Sequence, residues 1–168
     1  VPAPLLYVQA GEKNLPDHLA ARIRGTVEAG GTVLIQPFAG RKDIADALKP
    51  WLSAAFAGMT AGPVPDNHPV YTLRYNITGA AAPKLYALGD TCRLRVFLLE
   101  TDAGGAWHQN RTADKLPLFQ LPANLLLYTT DLAAPLGRLE TPPGPAPLPQ
   151  TSSTVRVARL KHSGDWDV

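Results

Sequence analysis

The sequence is poor in the residues that most often announce chemistry. Only one of its 168 residues is cysteine, Cys92, so no disulfide can form within the chain. At this length a hydrophobic core can hold a domain together without one. Histidine occurs four times, at His18, His68, His108 and His162. A metal site needs three or four ligands at close spacing, and these four are scattered, so no metal or other cofactor is expected. Charged residues make up 18% of the chain and leave a formal net charge of +2. That balance lacks the dense basic stretch of a nucleic-acid binder, and no nucleic-acid partner is expected. No apolar run approaches the roughly 20 residues of a membrane-spanning helix. The start, Val1 to Leu5, has no signal-peptide pattern either, although a mature or trimmed chain would look the same.

Proline is the exception to this scarcity, with 17 residues, several of them gathered between Pro135 and Pro149. The run PPGPAPLP favours extended polyproline conformation over helix or sheet. The expected organisation is therefore an α/β domain over residues 1–134, a Pro-rich linker over 135–153, and a C-terminal strand and turn over 154–168.

Within the first segment the patterns alternate between strand and helix. Leu5 to Gln9 is a short apolar run. Leu15, Leu19, Ile23 and Val27 then recur every four residues, which makes one apolar stripe on a helix. Gly30-Gly31 should stop that helix, because glycine takes the left-handed position after a helix without a Cβ clash, and Thr32 to Ile35 reads as a buried strand. A second helix carries Ile44, Leu48, Leu52 and Phe56, with Pro50 expected to kink or restart it. Tyr71, Leu73, Tyr75 and Ile77 alternate with Thr72, Arg74 and Asn76, the signature of a half-buried edge strand. Arg93 to Leu99 reads as a central strand, with Cys92 before it as a small core residue. A last helix follows Pro122 with Leu121, Leu125, Tyr128 and Leu132 on one side. A three-layer α/β domain follows, with a mainly parallel sheet flanked by helices.

Three motifs in order, Glu28-Ala29-Gly30-Gly31-Thr32, Asp66-Asn67-His68-Pro69-Val70-Tyr71, and Phe119-Gln120-Leu121 followed by Asn124-Leu125 and Tyr128, resemble the bacterial family termed domain of unknown function 4159. The resemblance covers most of residues 4–132 and implies a class I glutamine amidotransferase-like, flavodoxin-like fold. Its bacterial setting favours the cell envelope or periplasm over the cytoplasm. Ala158 to Asp167 is similar to the segment that usually opens this family's domain, yet here it comes last. It could begin a tandem domain, complete its own sheet after permutation, or pair with a neighbouring chain.

Amidotransferase chemistry places a cysteine on a glycine-flanked strand-to-helix elbow, with histidine and acid nearby. Cys92 instead enters a strand, so the resemblance implies fold rather than activity, and no catalytic residue is assigned. Candidate binding residues remain. His68 has Asp66 two positions away, an arrangement equally suited to a turn with a capping acid. Asp102, Trp107, His108 and Asn110 follow the central strand, where loops beyond the carboxyl ends of parallel strands bind ligands. The expected function is a non-catalytic binding or interaction module within a larger bacterial protein or assembly, partnered by protein or by itself through the C-terminal strand. The alternative is a hydrolase-like enzyme using His68, Asp66 and Asp102, which requires those three side chains to converge.

Overall fold

The protein was analysed as a computed structural model. The chain divides into a compact unit, Val1–Pro135, and a second, Leu136–Val168. The structure describes residues 4–130, so the expected linker and C-terminal strand, together with Leu132, lie outside the described residues.

Strand β1 (Leu5–Ala10) leads through helix α1 (Asp17–Glu28) into β2 (Thr32–Pro37), and helix α2 (Lys42–Ala55) follows. Strand β3 (Thr60–Pro63), strand β4 (Leu85–Gly89) and strand β5 (Leu94–Leu99) come next, then helix α3 (Ala103–His108) and helix α4 (Thr112–Thr130). They form one five-stranded mixed sheet in the order β1-β2-β5-β4-β3. Pairing is parallel between β1 and β2 and between β2 and β5, and antiparallel between β5 and β4 and between β4 and β3. The expected parallel sheet thus holds for one half only. The β4–β5 hairpin turns the other half antiparallel.

Both faces of the sheet are covered, because successive side chains of a strand point to opposite sides. Val33 and Ile35 of β2 and Val96 and Leu98 of β5 pack with Ile23, Val27, Ile44, Leu48 and Leu52 of α1 and α2. Leu34, Phe97 and Leu99 face the other way and pack with Ala103, Ala106, Leu118, Leu121 and Leu125 of α3 and α4. Each large apolar side chain buried this way contributes ~1.5–3 kcal/mol. The helix after β2 therefore lies on one face and those after β5 on the other, which makes the gap between these neighbours a topological switch point.

The α1 terminus is as the glycines foretell. Gly30 has φ +86°, its N–H donates to Val27 O at 2.9 Å, and Gly31 N–H donates to Thr26 O at 2.9 Å. This six-to-one and five-to-two pair is a Schellman ending. Arg93 Nη2 and Arg95 Nη1 then donate to Gly30 O at 2.6 and 2.9 Å, tying the helix end to the start of β5.

Four local expectations are corrected. Residues 70–77 form no strand: Pro69–Tyr71 is a short 3-10 turn and the rest is irregular. Fully buried Asn124 takes the place of a partner strand, its Oδ1 accepting from Arg74 N and Tyr75 N at 3.0 and 2.9 Å. Its Nδ2 donates to Val70 O and Tyr75 O at 3.0 and 2.9 Å, so loop backbone is satisfied by one side chain. Cys92 is exposed, not in the core, because Asp90 Oδ1 accepts from Cys92 N and Arg93 N at 2.8 and 2.9 Å and bends 90–93 into the β4–β5 turn. Helix α2 runs through Pro50, which sits on the exposed side where solvent can take up the carbonyl its missing N–H frees. Helix α4 begins at Thr112 and runs through Pro122, with a break at Lys115. There the orphaned Leu118 carbonyl accepts from Trp107 Nε1 at 2.9 Å, so a side chain from α3 replaces the lost backbone donor.

Candidate functional site

The carboxyl ends of β1, β2 and β5 meet at one end of the sheet, and a cleft of about 450 Å³ opens there, lined chiefly by Tyr7, Gln9, Phe38, Asp102, Trp107 and His108. Its floor is organised by Gln36, a polar side chain near the end of the buried strand β2 and itself 0% exposed. Tyr7 Oη–H donates to Gln36 Oε1 at 2.9 Å, and Gly104 N–H donates to the same oxygen at 3.0 Å. Gln36 Nε2 donates to Asp102 Oδ1 at 3.2 Å, and Gly105 N–H donates to that oxygen at 2.9 Å, so Asp102 caps α3. One amide thereby joins three strand ends and the start of a helix.

The glycines here sit in close quarters, most tightly Gly40, which meets backbone. A Cβ on Gly104 would stand 3.0 Å from Gln9 Nε2, and one on Gly105 would stand 2.9 Å from Asp102 Cγ. Gly40 has φ +63°, and a Cβ there would meet Asp102 N at 2.9 Å. Ala39 beside it also takes the left-handed region, at φ 53° and ψ 26°, an arrangement that costs an L-residue roughly 1–2 kcal/mol. The turn after β2 is thus forced close against Asp102, and Phe38 is left 54% exposed at the rim. Opposite, the Tyr7 and Trp107 rings lie with centroids 5.5 Å apart, tilted by 59°. Burial first, and the nearby Asp102 carboxylate second, raise the Tyr7 hydroxyl above its ordinary value, which keeps it a donor to Gln36.

Of the residues singled out from the sequence, Asp102, Trp107 and His108 come together in this cleft. Asn110 does not line it; its φ of 49° forms the turn between α3 and α4, a conformation asparagine tolerates. His68 and Asp66 lie elsewhere. His68 Nδ1 accepts from Val70 N at 3.3 Å, capping the 3-10 turn, and its ring packs 5.4 Å from that of Tyr128. The Tyr128 hydroxyl in turn accepts from Leu94 N at 2.8 Å, at the start of β5. Asp102 lies beyond the other end of the same six-residue strand, roughly 17 Å away at the usual rise. Burial, and no carboxylate, lowers the His68 imidazole below its ordinary 6.5. Asp66 is exposed and pairs with Lys84 at 3.5 Å. The three residues of a hydrolase-like site therefore do not converge.

A larger cleft of about 590 Å³ lies beside Asp66, but its charges are matched, Lys84 with Asp66 and Lys49 with Glu100 at 2.5 Å. Among the described residues no three His, Cys, Asp or Glu side chains gather as a metal site, and no helix is long and apolar enough to cross a membrane. Sequence reasoning missed Tyr7 and Gln36. The available signal was a glutamine closing an apolar strand just before Pro37-Phe38-Ala39-Gly40. The chain matches no family model and no curated protein.

Proposed function

We propose that this domain is a non-catalytic binding module, working within a larger bacterial protein or assembly, and that the cleft between the ends of β2 and β5 is its site. One observation carries the reading. A fully buried glutamine fixes the walls of a cleft at the switch point, in the position where open α/β sheets bind ligands. The aromatic surfaces suit binding, while Asp102 caps α3 through Oδ1 and the Trp107 indole N–H braces α4. Membership of the family resembled by the three motifs is part of the proposal. The parallel β1-β2-β5 half and helices on both faces support an amidotransferase-like, flavodoxin-like origin, with β4 and β3 as an antiparallel extension. The test is a mixed-charge fragment library screened by amide chemical shifts. Hits are expected to cluster on Phe38, Gly104, Gly105 and Trp107; hits confined to the His68 or Asp66 regions would sink the assignment.

A second reading concerns self-association. Strand β1 is at the edge of the sheet and pairs only with β2 among the described residues, which leaves one edge to accept a strand. We propose self-association of the domain through this edge; the C-terminal segment that the sequence offers as a partner lies outside the described residues. Raising the protein concentration should then slow hydrogen exchange on the β1 edge; exchange independent of concentration removes the reading.

A further inference from the structure

The polar groups of the cleft are unevenly matched. Five of its donors are spent: Tyr7 Oη–H and Gly104 N–H on Gln36 Oε1, Gly105 N–H and Gln36 Nε2 on Asp102 Oδ1, and Trp107 Nε1 on Leu118 O. The Gln9 amide and the His108 imidazole also line the cleft as neutral polar groups able to donate or accept, and the one fixed charge is an acceptor. Asp102 Oδ2 has no hydrogen bond among the described residues, and the Tyr7 oxygen keeps its lone pairs. Asp102 is the one carboxylate in the lining, and no lysine or arginine lines the cleft. Arg41, on the adjoining turn, is held by Asp43 through bonds of 3.1 and 2.7 Å, with Lys13 on the same carboxylate at 3.4 Å. Around this unmatched anion stand three aromatic rings, those of Tyr7, Phe38 and Trp107.

On the binding role proposed above, we infer that the cleft receives a cationic side chain, arginine foremost, carried by a protein partner. A guanidinium brings the positive charge that the lining lacks in lysine or arginine, forms a charge-assisted bond to Asp102 Oδ2, and lies favourably against aromatic faces. An anion would meet the Asp102 carboxylate with no lysine or arginine in the lining to offset it, and a wholly apolar ligand would strip water from Oδ2 without replacing it. Tyr7 and Phe38 are 41% and 54% exposed, so their rings are reachable by a side chain projecting from another polypeptide.

The test uses the full ¹⁵N-labelled chain and three capped tripeptides, Gly-X-Gly, in which X is arginine, citrulline or glutamate. Citrulline keeps the shape of arginine without its charge. The arginine peptide is expected to shift the Gly104 and Gly105 amides and the Trp107 indole N–H saturably. The citrulline peptide should bind about tenfold more weakly, and the glutamate peptide not at all. Phe38→Ala, at an exposed position outside the core, should weaken the arginine peptide roughly threefold with the fold intact. Equal binding of citrulline, binding of glutamate, or indifference to Phe38→Ala overturns the inference. Free L-arginine binding as tightly as the peptide overturns the protein partner. If uncharged or acidic probes shift these same residues, the cleft stands as a binding site and only its cationic preference falls. If no probe of any charge shifts them, both readings fall.

Discussion

Replacing Gln36 by leucine tests whether the cleft is held by that one amide. The two side chains are similar in size, so the exchange deletes hydrogen bonds while leaving little empty space. Three partners are affected, and unequally. Tyr7 is 41% exposed and its hydroxyl can turn to water at small net cost. Gly104 N–H loses its acceptor in a half-buried position at the start of α3, and a stranded donor costs ~1–3 kcal/mol. Asp102 keeps Gly105 N–H but loses a bond to an ionised group, which amounts to ~1.5 kcal/mol. Against these stands the gain from burying leucine rather than an amide, ~1 kcal/mol at a site already packed. The expected net loss is ~2–3 kcal/mol. Urea denaturation should show a lower midpoint with unchanged slope, and the Gly104 amide should exchange faster than in the parent under native conditions. A loss below ~0.5 kcal/mol, or unchanged protection of Gly104, would refute the view that Gln36 organises the site.

Asn124→Ala should cost ~3–4 kcal/mol, because four loop backbone groups lose their partner at a fully buried position; a loss under ~1 kcal/mol in the same denaturation assay contradicts that account. Ala39→Gly should be neutral or stabilising by up to ~1 kcal/mol, the relief of left-handed strain outweighing glycine's added freedom in the unfolded chain, and thermal melting showing destabilisation would argue that φ 53° is not strained. His68 has its folded value below its unfolded one through burial, so its contribution is complete above about pH 6.5 and is lost as pH falls through the folded value. Wild-type urea midpoints should therefore decline more between about pH 7 and pH 5 than those of His68→Asn, which keeps a capping acceptor without titrating; coincident profiles would remove His68 as the cause.

The elements legible in the sequence are those whose periodicity and end signals agree. Helix α1 shows an apolar repeat every four residues and a glycine pair that the structure uses as a Schellman ending, and β2 and β5 are apolar on both faces because both faces are covered. Errors arose where a tertiary partner replaced a local signal. Alternation across residues 70–77 is compatible with a strand, but Asn124, some 50 residues away, supplies the hydrogen bonds that a neighbouring strand would have supplied. Proline misled in α2 and α4, where solvent in one case and the Trp107 indole in the other stand in for the missing donor. Strands β3 and β4 are short, carry glycine, alanine and proline, and draw their stability from pairing, which no local pattern announces.

The cleft proposed as the site was legible in location but not in construction. Placing Asp102, Trp107 and His108 beyond the end of a central strand needs only the strand and the rule that loops at carboxyl ends carry ligands. What turns that loop into a cleft is Gln36, and its role depends on β1, β2 and β5 being neighbours, since its partners come from residues 7, 102 and 104. The same dependence explains why His68 looked equally promising. A histidine two residues from an acid is a site only if the fold turns both inward, and here the imidazole caps a turn beneath Tyr128 while Asp66 faces solvent. A buried glutamine near the carboxyl end of a mainly apolar strand was therefore the better clue. Such a group is costly unless several partners converge on it, and a convergence at strand ends defines the walls of a cleft.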